Sequence, residues 1–187
     1  MNEIILASAS PRRREILELA GVPFVVCAAS EETAPAGLSP AEYTKALAKS
    51  KCEAVFKEYP DRVVLGADTV VVLGDTILGK PRDEKEAVEM LLSLGGKAHQ
   101  VMTGVWVCSP TGCDGFTDIA QVRFYPVTEA EAKAYVATKE PMDKAGGYGI
   151  QGYGMRFVEG IEGDFYTVMG LPGARIRRFL HNFGVEL

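Results

Sequence analysis

The residues able to do chemistry in this chain are scattered between short apolar runs. Ser8 and Ser10 lie in the loop Ser8-Ala9-Ser10-Pro11, which runs straight into Arg12, Arg13 and Arg14. Glu31 and Glu32 follow in a second loop, then Lys51, then Asp68 beside Thr69, then Lys80 with Arg82. Carboxylates interspersed with lysines and arginines are the set that metal-assisted attack on a polyphosphate requires. The acids hold a hard cation through oxygen, and the bases neutralise phosphate charge as it develops. Charged loop ends are also what an ordinary soluble surface carries, so residue types alone leave both readings open.

Asp68 stands out because of its surroundings. It sits within VVLGADTVVVLGDTILGKPR, residues 63–82. This β-branched run without helical spacing reads as a buried strand. The run breaks at Gly66-Ala67, resumes from Val70 to Leu73, turns at Gly74-Asp75 and returns through Ile77-Leu78. A carboxylate there is costly to bury unless it is paired or bound to a metal. The alternative is a hydrogen-bonded structural Asp at a bend.

The elements around these residues follow from pattern. Ile4 to Ala7 reads as a strand that feeds the Ser8–Pro11 loop. Ser10 as N-cap and Pro11 at the first position open a helix with Ile16, Leu17 and Ala20 as its buried stripe. A strand, a hydroxyl-rich loop and a helix N-terminus together offer backbone N–H groups to an anion. Arginines in a first helical turn oppose the helix dipole, and a bound anion would remove the conflict. The competing reading is a solvated basic turn.

Phe24 to Ala28 reads as a second strand. Ser39, Pro40 and Glu42 make a capping box for a helix reaching about Tyr59. Asp83 with Glu86, and Thr128 with Glu131, open two more helices, the first carrying Ala87, Met90, Leu91 and Leu94 as a core stripe. Val101 to Cys108 and Asp118 to Phe124 read as strands around a Pro110-Thr111-Gly112 turn. The five glycines from Glu140 to Gly154 exclude a regular element and allow close backbone approach to a ligand or strand. Phe165 to Met169 reads as a last strand. Ile176, Phe179, Leu180 and Phe183 mark a closing helix. Interleaved helices and strands, with several pairs joined by tight turns, predict an α/β fold on a mixed sheet.

Bulk properties narrow the function classes. The length of 187 residues suits one domain with a substantial core, with no linker or repeat inside residues 1–187. The net charge of −5 argues against broad binding to nucleic acid, though not against a basic pocket for one nucleotide. No apolar run approaches the roughly 20 residues that span a bilayer. The N-terminal MNEIILASASPRRR places its charges after the apolar run, the reverse of a secretion signal, so a cytoplasmic location is expected. Cys27, Cys52, Cys108 and Cys113 form no CxxC pair, which makes zinc unlike this chain and predicts free thiols in a reducing compartment. Cys108 and Cys113 flank a turn and are placed to face each other across a hairpin. His99 and His181 have no catalytic signature around them and read as structural. Walker, dinucleotide-binding and HExxH signatures are absent.

Several strings, in order along the chain, carry a resemblance. LASASPRRREIL, Ala67-Asp68-Thr69, Gly79-Lys80-Pro81, Met102 to Val105, and DKAGGYGIQG followed by GDFYTVMGLP resemble the Maf family of nucleoside triphosphate pyrophosphatases. The similarity runs from Ile4 to about Leu180. It implies a single elongated α/β domain over residues 1–187, a mixed central sheet flanked by helices, and a central cleft, related in shape to inosine triphosphate pyrophosphatases. It implies hydrolysis of a nucleoside triphosphate to monophosphate and diphosphate with a divalent cation, Mg2+ or Mn2+. It also implies a cytoplasmic enzyme, often a homodimer, in a family associated with arrest of cell division.

Matched position by position, the resemblance makes Asp68 the catalytic proton acceptor. It makes Ser8, Ser10, Arg12 and Arg13 the substrate loop, and Glu32, Lys51 and Lys80 charged cleft positions. Asp68 and Glu32 would hold the metal. The family's Asp-Glu-Ser-like string reads Glu31-Glu32-Thr33 here. Arg12, Thr69 and Gln151 match the specificity markers of the subgroup acting on dTTP and UTP. A Gln amide offers both a donor and an acceptor to the pairing edge of uracil or thymine. Two rival functions remain: a non-enzymatic protein that binds a division partner, and a pyrophosphatase for a purine nucleotide. Phosphate release from a nucleotide panel separates them.

Overall fold

Ile4–Leu6, an all-apolar and fully buried run, forms β1. The computed structural model describes residues 3–29 and 33–186, and Glu31 and Glu32 lie outside them. β1 pairs in parallel with β2 (Phe24–Val26) on one side and β3 (Val64–Leu73) on the other. β3 turns through Gly74-Asp75 into the antiparallel β4 (Thr76–Leu78), with Gly74 at φ +60°, the left-handed conformation that such a turn demands. Among the described residues the sheet has seven strands in the order β2-β1-β3-β5-β6-β7, with β4 on β3. β5 is Ala98–Ser109, β6 is Gly112–Phe124 and β7 is Val158–Glu162. Parallel pairs and the antiparallel β6–β7 pair coexist, so the sheet is mixed, as the pattern predicts.

The helices are α1 (Pro11–Leu19), α2 (Pro40–Phe56), α3 (Glu84–Leu94), α4 (Glu129–Val136), α5 (Phe165–Met169) and α6 (Gly173–Leu180). The capping boxes at Ser39/Glu42 and Thr128/Glu131 are both closed reciprocally. The third start is built differently. Asp83 accepts the Glu86 N–H at 2.8 Å, but the Glu86 carboxylate reaches past the cap to the Arg82 N–H and Nε, at 2.7 and 2.9 Å. Ser10 occupies the N-cap of α1, with Pro11 next, yet its side chain makes no capping bond.

Two compact units divide the chain. The first comprises Met1–Asp68, Thr103–Asp118 and Gly170–Leu187. Its core gathers Ile5, Ala7, Cys52, Val55, Val64 and Cys108, and α1 packs on α6. The second comprises Thr69–Met102 and Ile119–Met169. Its core gathers Val71, Leu91, Leu94, Val122, Phe124, Tyr135, Tyr148 and Phe157 among others, and α3 packs on α4.

Several expectations need correction. Gly66-Ala67 is no break: β3 runs unbroken through it. A Cβ at Gly66 would lie 2.3 Å from the Ala48 carbonyl oxygen and 2.7 Å from Cys52 Cβ, so this glycine lets α2 lie against the strand. Gly104 in β5 does the same beneath the other end of the helix, where a Cβ would meet the Thr44 carbonyl at 2.5 Å. The second strand stops at Val26 rather than Ala28, although the Cys27 N–H still bonds to the Leu6 oxygen. Phe165–Met169 is helical, not a strand. Asp164 directs it there: its Oδ1 accepts the Tyr166 N–H at 3.0 Å and its carbonyl accepts the Thr167 N–H at 3.1 Å. The last strand is β7 instead, whose half-exposed VEGIE pattern carried no apolar signal.

Glu140 to Gly154 is not wholly irregular either, since Glu140–Asp143, Ala145–Gly147 and Tyr153–Phe157 form 3-10 turns. The hairpin turn after β5 is only Pro110-Thr111, and it holds Cys108 and Cys113 with their Cα atoms 4.2 Å apart as a disulfide rather than two thiols. Cys27 and Cys52 are free thiols, and burial pushes the Cys52 thiol up to about 12.

Candidate active site

Within the first unit, β1 ends alongside the stretch of β3 that leads to Asp68. β1 and β3 are parallel and in register at Leu6 and Leu65, so Ser8 leaves the carboxyl end of β1 while Asp68 lies beyond Leu65 on β3. Carboxyl ends of parallel strands are where α/β sheets bind ligands. The Ala7 N–H bonds to the Leu65 oxygen at 2.8 Å and locks that level.

The loop after β1 is shaped by Arg13. This side chain is buried, only 8% exposed. Its Nη1 donates to Ser8 Oγ at 2.9 Å and its Nε to the Gly170 carbonyl at 2.9 Å. Ser8 Oγ also accepts the Ser10 N–H at 3.3 Å, and Arg14 Nη2 donates to the Ala9 carbonyl at 3.1 Å. A planar guanidinium with fixed donors is suited to hold two acceptors at once. Arg13 thus joins the loop to the chain at Gly170. Arg12, half-buried, stands beside it in the first turn of α1, whose leading N–H groups have no partner within the helix.

α2 supplies the second part. Lys51 Nζ lies 2.6 Å from Asp68 Oδ1, with the two side chains 18% and 14% exposed. An ammonium–carboxylate contact this short, mostly out of water, is a charge-assisted hydrogen bond that fixes the carboxylate in direction. The pairing answers the question that Asp68 posed in the sequence: the half-buried acid has a cation. One residue earlier on α2, Ser50 Oγ accepts the Thr33 N–H at 3.1 Å, which fixes the chain directly after Glu32. Glu32 itself lies outside the described residues. Lys49, on the next face, lies over the Trp106 ring at 5.0 Å.

Within the second unit, Lys80 is exposed in the turn after β4. The Gly79 carbonyl next to it accepts the Gly146 N–H at 3.0 Å, so the Gly-Lys-Pro turn is fastened to the glycine-rich segment that carries Gln151. Gly146 has φ +68°, and a Cβ there would meet Val71 at 2.8 Å, so both conformation and space require glycine. Gln151 is exposed. Thr69 follows Asp68 on β3 and is half-buried.

The structure therefore brings Ser8, Ser10 and Arg13 together, and Lys51 with Asp68, and links the turn of Lys80 to the segment of Gln151. Arg82 is engaged with Glu86 on α3. His99 is a core residue, as expected. Its Nε2 lies 2.8 Å from the Tyr148 hydroxyl, its ring meets Phe124 edge-on, and burial pushes its pKa down to about 4. Sequence reasoning missed Glu140 and Tyr135, which hold the glycine-rich segment from behind. A lone carboxylate opening a glycine-rich string was the available signal.

A divalent cation fits this donor set in a particular way. Among the described residues no group of three His, Cys, Asp or Glu side chains gathers. Mg2+ commonly takes one or two carboxylates and completes its shell with substrate phosphates and water. Asp68, with one oxygen on Lys51 and carboxylate oxygen to spare in its acceptor capacity, suits that arrangement.

Known proteins agree in sequence along the whole chain. A relative from Bacillus cereus named dTTP/UTP pyrophosphatase is 50% identical, covering 100% of this chain and 98% of the relative. One of the same name from Bacillus cytotoxicus is 52% identical over 98% of this chain and 96% of the relative. The solved structure of the Staphylococcus aureus Ham1 protein aligns at a TM-score of 0.48 and 16% identity, covering 66% of this chain and 72% of that one. The family described as Maf-like protein matches residues 3–183, and the chain belongs to the Maf family.

Proposed function

We propose that this chain is a nucleoside triphosphate pyrophosphatase that hydrolyses dTTP and UTP to the monophosphate and diphosphate. The observation that carries the chemistry is Asp68, an acid within an apolar strand, held by Lys51 at 2.6 Å. The full-length relatives named dTTP/UTP pyrophosphatase support the substrate.

Asp68 acts as general base. It orients a water and takes its proton as the oxygen attacks the α-phosphorus. The bond from that phosphorus to the α–β bridging oxygen breaks, and diphosphate leaves with the electron pair. Lys51 keeps the carboxylate aimed through its 2.6 Å contact. Arg12 and the leading N–H groups of α1 receive phosphate oxygens, as a helix N-terminus does. Arg13 holds Ser8 and Ser10 in place for that contact. Lys80 offsets charge on the leaving diphosphate. Asp68 and Glu32 would hold the divalent cation, Mg2+ or Mn2+, which supplies charge neutralisation at the phosphate oxygens when bound.

Gln151 and Thr69 select the base. Uracil and thymine present acceptor, donor and acceptor along the pairing edge, and an amide matches part of it. Cytosine presents a donor where uracil has an acceptor, leaving buried groups unpaired. The reading takes residues 1–187 as one functional domain, cytoplasmic, working as a homodimer, with a role in division arrest. Among the described residues no helix is long and apolar enough to cross a membrane.

The test is kcat/KM for dTTP, UTP, CTP, GTP and 7-methyl-GTP with Mg2+ or Mn2+, following diphosphate release, on wild type and Gln151→Glu. dTTP and UTP should lead in the wild type and fall most in the variant. Preference for CTP or a purine nucleotide would refute the substrate assignment. Absence of diphosphate release from every nucleotide would refute the enzyme.

A further inference from the structure

The glycine-rich segment has a clamp that neither the family resemblance nor the proposed chemistry uses. Glu140 opens it and folds its carboxylate back under residues far along the chain. Oε2 accepts the Tyr153 N–H at 2.8 Å, and Oε1 accepts the Gly154 N–H at 3.2 Å. Oε1 also accepts the Tyr135 hydroxyl at 2.8 Å. The Tyr135 oxygen in turn accepts the Gly149 N–H at 3.0 Å. A Cβ on Gly152 would fall 2.3 Å from Glu140 Oε2, so the carboxylate lies directly against the backbone there. The Glu140 carbonyl is held as well, by Lys144 Nζ at 2.6 Å.

The arrangement is symmetrical about one residue. Gly149 lies two positions before Gln151, and Tyr153 and Gly154 two and three positions after it. The Tyr135–Glu140 pair therefore grips both flanks of Gln151 and leaves its side chain exposed at the crown. Tyr135 is fully buried in the second unit's core, at 0% exposure, so the grip is anchored to rigid structure. Burial by itself would raise the Glu140 pKa. The Tyr153 N–H, the Tyr135 hydroxyl, the Gly154 N–H and the Lys144 ammonium outweigh it and hold this carboxyl below the usual range. Three hydrogen-bond donors on two oxygens is a demand that only a carboxylate meets well.

We propose that Glu140, through Tyr135 and the N–H groups of Gly149, Tyr153 and Gly154, is the positioning residue for base recognition by the 148–154 segment. The proposal rests on the reading of Gln151 as a base-selecting residue. Glycine-rich backbone offers many conformations, and a donor–acceptor match to a base edge needs one of them. The clamp supplies that preorganisation without touching substrate.

The test compares wild type, Glu140→Gln, Tyr135→Phe, Gln151→Ala and the Glu140→Gln/Gln151→Ala double variant. Steady-state kcat and KM are measured for dTTP and CTP, and amide exchange is followed over residues 148–154. Glu140→Gln should speed exchange at Gly149, Tyr153 and Gly154 while β5 and β6 stay protected. It should raise KM for dTTP about tenfold, leave kcat within about threefold, and shrink the dTTP-over-CTP preference. Tyr135→Phe should act in the same direction. Added to Gln151→Ala, Glu140→Gln should cost little more.

Faster loop exchange in Glu140→Gln with unchanged KM and preference, while Gln151→Ala shifts both, overturns the clamp and leaves the role of Gln151 intact. An equal fall of kcat for both nucleotides, with KM unchanged, also overturns it. Preference untouched in Gln151→Ala refutes the role of that residue; a raised KM in Glu140→Gln would then still support positioning through the segment's backbone, and an unchanged KM would overturn it.

Discussion

Asp68 Oδ1 and Lys51 Nζ, 17 positions apart in sequence, meet at 2.6 Å between the middle of a strand and the fourth turn of a helix. The pair gives the acid in the apolar run both its charge partner and its direction. Asp68→Asn keeps the shape and removes the base. It should cut kcat by about two orders of magnitude or more, with the circular dichroism spectrum unchanged. Lys51→Met should also lower kcat, and the double variant should cost far less than the two losses added together. Additive losses, or near-normal turnover in a folded Asp68→Asn protein, would sink the assignment.

Arg13 offers a test of loop shaping. Lysine is a point charge and cannot serve the Ser8 hydroxyl and the Gly170 carbonyl with the same fixed fork. Arg13→Lys should leave a buried acceptor without its donor, at a cost of about 1–3 kcal/mol. For a chain of this size that is a fall in Tm of about 3–10 °C, read by thermal unfolding, together with a raised KM. An unchanged Tm would show that the loop does not depend on the fork.

The buried His99 sets an acid limit. Its folded pKa is depressed to about 4 from an ordinary 6.5, so the unfolded chain binds more protons between those values. Stability is therefore whole above about pH 6.5 and drains away as pH falls toward 4. The loss from this one group is about 3 kcal/mol. Urea titrations from pH 7.5 to 4 should show the slope, and His99→Gln should flatten it. An equal slope in the variant would assign the acid sensitivity elsewhere.

Chelation separates a catalytic cation from a structural one. EDTA should abolish turnover and Mg2+ or Mn2+ should restore it, while the melting curve stays where it was, because the fold's described contacts include no metal cage. Full activity after exhaustive chelation would rule out the cation.

The sequence announced the elements whose signals are local. Ser39 with Glu42 and Thr128 with Glu131 are reciprocal side-chain caps, and Gly74-Asp75 is a turn whose geometry is written in two residues. Where the deciding atoms come from elsewhere in the chain, reading along it failed. Gly66 looked like a break because nothing near it in sequence mentions the helix that passes over it. Phe165–Met169 looked like a strand from its aromatic and β-branched content, which the Asp164 cap overrides. Asp68 was visible as an anomaly, but its partner Lys51 emerged only from the fold. Glu140 showed only as a lone carboxylate opening a glycine-rich string, because two of its three donors are backbone N–H groups that carry no side-chain motif and the third, the Tyr135 hydroxyl, comes from a separate helix.

Gly66 and Gly104 also set a limit on how this protein can be hardened. Replacing glycine by alanine commonly stabilises a protein by about 0.4–1 kcal/mol by narrowing the unfolded ensemble. At these two sites the added methyl would collide with the backbone of α2, at 2.3 Å from the Ala48 oxygen and 2.5 Å from that of Thr44. The helix would have to lift, and with it the lysine whose reach to Asp68 is one short contact. Heat tolerance and turnover would both be lost here to the thickness of a single carbon atom, so a search for a tougher variant is best directed at the exposed Gly37 and Gly184, where the same methyl would meet nothing. Both have left-handed φ, of +80° and +75°, which favours asparagine over alanine as the replacement.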